Sequence, residues 1–147
     1  MSLTKFLLGV VILFVIFMFF VVIYSPHRPI APATSAKTRV IHAQTIEYIS
    51  AEIQGCALEE TTIMDGNLTC SKLNAANVAA AAAKTLTDKN PYSTKNNAVR
   101  ISTSNTKDED VGYINLSASD SSVVVKSCHK KPCSDKNNRR SDTIEIK

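Results

Sequence analysis

The chain has 147 residues, 17 Lys and Arg against 13 Asp and Glu, a formal net charge of +4 and 44% hydrophobic residues. That length holds one modest domain, and because all five Phe fall at Phe6, Phe14, Phe17, Phe19 and Phe20, positions 26–147 keep no Phe, no Trp and only 23 Val, Ile, Leu and Met residues. So thin a core usually needs covalent staples or partners, and the absence of a phosphate-binding glycine loop, a metalloprotease helix or a nucleophile elbow argues against most large enzyme classes.

From Phe6 to Tyr24 no residue is charged. As a helix this run spans roughly 28 Å, close to the hydrocarbon core of a bilayer, so residues 1–25 read as a short cytoplasmic tip and a transmembrane signal anchor. The rival is a cleaved signal peptide, since Lys5 precedes the run and Ala31-Pro32-Ala33 has a small-x-small pattern. The run is longer than a signal-peptide core, and an uncleaved anchor is the expectation. Arg28, Lys37 and Arg39 follow the span, but a large downstream domain translocates largely regardless of such charges. Four cysteines in a thin-cored domain imply an oxidising compartment. The expected placement is therefore a single-pass bacterial inner-membrane protein, N-in, with its C-terminal domain in the periplasm or outside the cell.

Residues 26–37 contain Pro26, Pro29 and Pro32 and are expected to form an extended spacer that interrupts the helix. Residues 38–147 form the domain. Ile46, Ile49, Ile53 and Cys56 recur at helical spacing, which predicts an amphipathic helix over 38–58 with Glu47, Glu52, Glu59 and Glu60 in solvent. Asp65-Gly66 between two β-prone runs signals a turn with hairpin character. Ser71 is expected to cap a second helix through the alanine run 79–83, with Asp88-Lys89-Asn90-Pro91 stopping it. The period then changes to two over 112–117, 122–126 and 143–147, joined by Asp120-Ser121 and by a long loop from Cys128 to Asp142. These are strands of an antiparallel meander, and a further strand near Val99 and Ile101 would make it four. The fold class is α+β, with two helices packed on an antiparallel three- to four-stranded sheet behind the transmembrane helix.

Four cysteines allow three pairings. The simplest is local, Cys56 with Cys70 and Cys128 with Cys133. Cys128-His129-Lys130-Lys131-Pro132-Cys133 invites a metal reading, but its lysines would repel a cation and no second ligand pair lies at similar spacing, so a disulfide is expected and no metal or cofactor. Lys126, Lys130, Lys131, Lys136, Arg139 and Arg140 face only Asp135 across the final loop, a charge excess suited to weak, non-specific binding of DNA or anionic polysaccharide. His27, His42 and His129 fall in a spacer, on a helix and in a cysteine-bounded loop, and no acid-base-nucleophile set is visible, so no catalytic residue is assigned. Asn67-Leu68-Thr69 and Asn115-Leu116-Ser117 match the N-glycosylation pattern, which a chain rich in Asn, Ser and Thr also yields by chance.

The order of these pieces resembles type IV pilin-like proteins. The likeness covers roughly residues 38–147 and rests on Glu52-Ile53-Gln54-Gly55-Cys56, on Asp88-Lys89-Asn90-Pro91-Tyr92, and on the span Cys128 to Cys133 with Ser141-Asp142-Thr143-Ile144 after it. Those segments look like the head domains of short pilins from marine bacteria. The amino terminus departs from the family pattern: residues 6–24 carry no Glu, and Pro26, Pro29 and Pro32 break the helix that would run into the head. The resemblance therefore implies a non-enzymatic structural or accessory protein that contacts pilus or secretion subunits, not a major filament subunit. The alternative is an envelope binding module that uses the basic loop 126–140.

Overall fold

The computed structural model describes residues 31–146. The first helix, α1, runs Ala31–Ala57, so the segment 31–37 expected as extended spacer is helical. Pro32 is compatible with this because the first helical turn has no N–H bonds to lose. The C-terminus of α1 closes on Glu59, which adopts φ 68. Its neighbour Glu60 donates from its backbone N–H to the Gly55 carbonyl at 3.1 Å, and Glu59 donates to the Cys56 carbonyl at 3.3 Å, the double bond of a Schellman cap.

Among the described residues no helix is long and apolar enough to cross a membrane. This corrects the expected fold class and the single-pass inner-membrane placement. At 27 residues α1 has the length, but it carries Lys37, Arg39, Glu47 and Glu52, whose charges are costly in hydrocarbon. The expected span 6–24, the cytoplasmic tip and spacer residues 26–30 lie outside the described residues.

After α1, strands β1 (Thr62–Ile63) and β2 (Leu68–Thr69) pair antiparallel around the Asp65-Gly66 turn. Met64, Asp65 and Gly66 all take positive φ. Helix α2 spans Ala75–Thr85, and its cap is Asn74, whose side chain accepts from Asn77 N–H at 2.9 Å. Ser71 instead lies in a 3₁₀ turn over Cys70–Lys72, which corrects the expected cap. The polar stretch after α2, which showed no strand period, forms a hairpin of β3 (Lys89–Asn90) and β4 (Ser93–Asn97).

The main sheet has the order β5-β6-β7-β8. Its strands are β5 (Val99–Ile101), β6 (Ile114–Ser119), β7 (Ser122–Cys128) and β8 (Arg139–Glu145). The last three form the antiparallel meander, whereas β5 pairs parallel to β6, so the sheet is mixed and not wholly antiparallel. Alternation along β7 turns Val123, Val125 and Ser127 to one face, where they meet Leu116, Ile114 and Ile144 in register. Both helices cover that face in one continuous core. Helix α2 lays Ala75, Val78, Ala79 and Ala82 against it, small side chains that let helix and sheet approach closely.

The buried stripe of α1 is only partly the one its isoleucines mark. Ile49 is fully buried, but toward the N-terminus the stripe continues as Thr45, His42, Thr38 and Ser35. These polar groups tolerate burial where hydrogen bonds satisfy them: Thr38 donates to the Thr34 carbonyl at 2.9 Å and Thr45 to the Ile41 carbonyl at 2.8 Å. Glu52, expected in solvent, accepts from the Met64 N–H and pins the first hairpin to α1.

Candidate functional site

The end of the sheet where β7 leads into β8 holds the second disulfide, His129 and the cations of the final loop, whereas the first disulfide lies toward the other end, beside Ile144. Cys56 bonds Cys70 and Cys128 bonds Cys133, with Cα separations of 5.4 and 5.7 Å. The second pair closes the connection between β7 and β8 and buries both sulfurs beside Val111. Its backbone is anchored from outside, since Cys133 N–H donates to Asp108 at 2.7 Å and His129 N–H to the Asn138 carbonyl at 2.9 Å. The two sulfurs are bonded to each other, which removes the thiolates a metal would need.

The Asp88-Lys89-Asn90-Pro91-Tyr92 segment is a clamp on this connection. Asn90 is fully buried; its amide donates to the Val111 carbonyl at 3.1 Å and its oxygen accepts from Tyr92 N–H at 2.8 Å. Tyr92 in turn donates its hydroxyl to the His129 carbonyl at 2.8 Å. Gly112 sits against Asn90 with φ +79, and a Cβ there would collide with the Asn90 side chain.

Two histidines join α1 to the same region. His42 is fully buried, and its Nε2 lies 2.8 Å from Asp142 on β8. A carboxylate only accepts, so Nε2 carries the proton. Its Nδ1 is buried without a partner among the described residues. Burial lowers the His42 pKa below 6.5 and Arg140 adds to this, while the bond to Asp142 and its charge act in the opposite direction. Nε2 of His129 receives a guanidinium N–H of Arg39 at 2.8 Å, which fixes it as the acceptor and leaves the ring neutral. The His129 pKa is also lowered, first by burial and then by the charges of Arg39, Arg140, His42 and Lys130. The spacing of these residues along the chain gave no sign of either contact, because 100 and 90 positions separate the partners.

The six expected cations divide. Lys126, Lys136, Arg139 and Arg140 line one cleft of about 470 Å³, whose other wall is the segment 103–106. Lys130 and Lys131 are exposed on the disulfide loop and do not line it. Lys126 reaches the Thr103 carbonyl at 3.3 Å. The wall is held in place from two sides: Asn105 donates to the carbonyls of Ser127 and Arg140 at 3.5 and 3.4 Å, and Ser104 donates to Asp110 at 2.7 Å. Asp110 also receives Arg100 at 2.7 Å, and Arg100 lies 3.7 Å from the centre of the Tyr113 ring. This cleft wall was not foreseen, since a run of Ser, Thr and Asn reads equally as a solvated loop.

A second hollow of about 480 Å³ lies beside the Cys56–Cys70 disulfide, between Ile53, Leu73 and Ile144. Comparisons with protein-family models, with curated proteins and with solved structures give no match to the chain.

Proposed function

We propose that the chain is a non-enzymatic structural or accessory protein whose pilin-like domain takes part in a pilus or secretion assembly. The observation that carries this reading is α1, which covers the sheet with one face and leaves the other open along its length. Ala33, Ala36, Val40 and Ala43 recur there at helical spacing and are exposed, Val40 by 53%. Side chains that small allow a second helix to pack at short interaxial distance. The order of long helix, stapled loop, second helix and stapled meander supports the resemblance already drawn, and two disulfides fit a chain that folds where thiols are oxidised. His42 and His129 are engaged in joining α1 to the β7–β8 region: His42 is inaccessible and His129 is 4% exposed, an arrangement that suits architecture better than proton transfer to a substrate.

The test is site-specific photocrosslinking in cells that make the full chain, with a photoreactive residue at Val40, at Ala43 or, as a control, at Lys95 on β4. Adducts of discrete mass at positions 40 and 43 and none at 95 are expected. Equal labelling at all three positions, or none at 40 and 43, would overturn the assembly role.

A further inference from the structure

We propose that the cleft between segment 103–106 and the β7–β8 end binds the sulfate or carboxylate groups of an anionic polysaccharide, independently of any role in assembly. Three cations, Lys126, Lys136 and Arg139, line one concavity that has no carboxylate in its lining, while Arg140 opposes Ser127 and turns its side chain to the α1 face, meeting the wall through its carbonyl. Among the described residues none of the three forms an ion pair, and the Nε of Arg139 is buried with no hydrogen-bond partner. Like charges held together repel, and a bound anion relieves the repulsion while satisfying donors that the protein leaves open.

The uncharged lining selects the kind of anion. Thr103, Thr106 and Ser141 offer hydroxyls between the cations, which suit the hydroxyls and ring oxygens of a sugar. Nucleic acid bound without sequence preference relies on aromatic platforms for its bases, and the cleft has none. Tyr113 is covered by Arg100 and the Tyr92 hydroxyl is held by the His129 carbonyl. The carbonyl wall at Thr103 positions Lys126, and the Asn105 bonds fix the depth of the cleft by tying the segment to β7 and β8.

The experiment is calorimetric titration of the oxidised full-length chain with a size-defined heparin fragment, with neutral dextran and with an oligothymidylate of matched charge, at two salt concentrations. Heparin is expected to bind with an affinity that falls as salt rises, dextran not to bind, and the oligothymidylate to bind more weakly. The double variant Lys126→Gln/Arg139→Gln should lose about tenfold or more, the equivalent of one charge-assisted hydrogen bond, while Lys130→Gln/Lys131→Gln, outside the cleft, should stay within about twofold. If the arginine variant does not fold, Lys126→Gln/Lys136→Gln replaces it with the same expected loss. No heparin binding would overturn the proposal. Equal losses in the cleft and loop variants would also overturn it, as a diffuse charge effect, and an oligothymidylate that binds as tightly as heparin would reassign the cleft to nucleic acid.

Discussion

Nε2 of His129 accepts a hydrogen bond from the Arg39 guanidinium at 2.8 Å, so the ring that joins α1 to the disulfide-bounded connection is held by an interaction that only its neutral form makes. Protonation would place a cation against Arg39, with Arg140 and Lys130 already contributing positive field. His42, one turn along the helix, faces both Asp142 and Arg140. It keeps its Asp142 bond in either state but gains a buried, unpartnered Nδ1–H when protonated.

Both folded-state pKa values lie below 6.5, so as pH falls the unfolded chain takes up protons first. The stability this contributes is complete above about pH 7.5, falls as the pH drops through the unfolded value, and is gone below the folded values. The thermal midpoint should therefore be lower at about pH 5.5 than at about pH 8, in a range where most carboxylates stay ionised. The double variant His42→Gln/His129→Gln should flatten the profile. A midpoint that rises on acidification would contradict the two contacts.

Gly66 and Gly112 separate two reasons for a glycine. Both have positive φ, +80 and +79, but a Cβ on Gly66 would meet nothing within 4 Å, whereas one on Gly112 meets the Asn90 side chain. Gly66→Ala is expected to cost about 1 kcal/mol, the backbone penalty alone. Gly112→Ala should cost more, about 3 kcal/mol, because Asn90 must give up its bonds to Val111 and Tyr92 as well. Chemical denaturation of the two variants decides it, and equal losses would mean that Asn90 is not the clamp.

Much of this frame was legible in the sequence, and the misses share a cause. Asp65-Gly66, the alternation in 122–126 and the isoleucines of α1 are signals in which one residue type fits one local geometry. Ser35, Thr38 and His42 extend the buried stripe of α1 with polar residues, and burial of such groups depends on partners that the sequence does not announce, Asp142 among them. Asn74 rather than Ser71 caps α2, and Ser71 lies in the 3₁₀ turn that starts at the disulfide-bonded Cys70. The parallel pairing of β5 follows from the 102–113 crossover, whose Ser, Thr and Asp residues give no strand period. The cleft inherits the same opacity: its cations were visible, but the wall that gathers three of them is a loop fixed by tertiary hydrogen bonds.

Removal of the two disulfides should not be equivalent. Cys56 and Cys70 enclose a sequence separation of 14, Cys128 and Cys133 one of 5. Chain entropy assigns about 3 kcal/mol to the larger loop and about 1 kcal/mol less to the smaller. Cys56→Ala/Cys70→Ala is therefore expected to lower the midpoint of urea unfolding further than Cys128→Ala/Cys133→Ala. The reverse order would show that packing of the buried Cys128 and Cys133 sulfurs beside Val111 outweighs loop closure.

Glu59 occupies a position that glycine usually fills. Its φ of 68 closes the Schellman cap of α1, and its side chain is exposed. Glu59→Gly should therefore stabilise the domain by about 0.5–1 kcal/mol, since the left-handed strain removed exceeds the added freedom of the unfolded chain. A loss of stability would mean that the Glu59 carboxylate makes a contact that offsets the strain.

Asp110 connects the fold to the cleft. Its carboxylate, 6% exposed, receives Arg100 on one oxygen and both Ser104 and the Lys107 N–H on the other, so one side chain bonds β5 to the segment that walls the cations. Asp110→Ala should cost about 2 kcal/mol, less than a fully buried pair because Arg100 is 37% exposed. Amides at Ser104 and Lys107 should exchange faster with solvent than in the parent chain, while those of β7 change only with global stability. Arg100→Lys should also cost stability, because an ammonium cannot span Asn115 and Asp110 while covering Tyr113 as the guanidinium does. Should exchange at 104 and 107 remain slow in Asp110→Ala, the wall would have to be fixed by the Asn105 bonds alone, and the cleft would keep its shape without its acidic anchor.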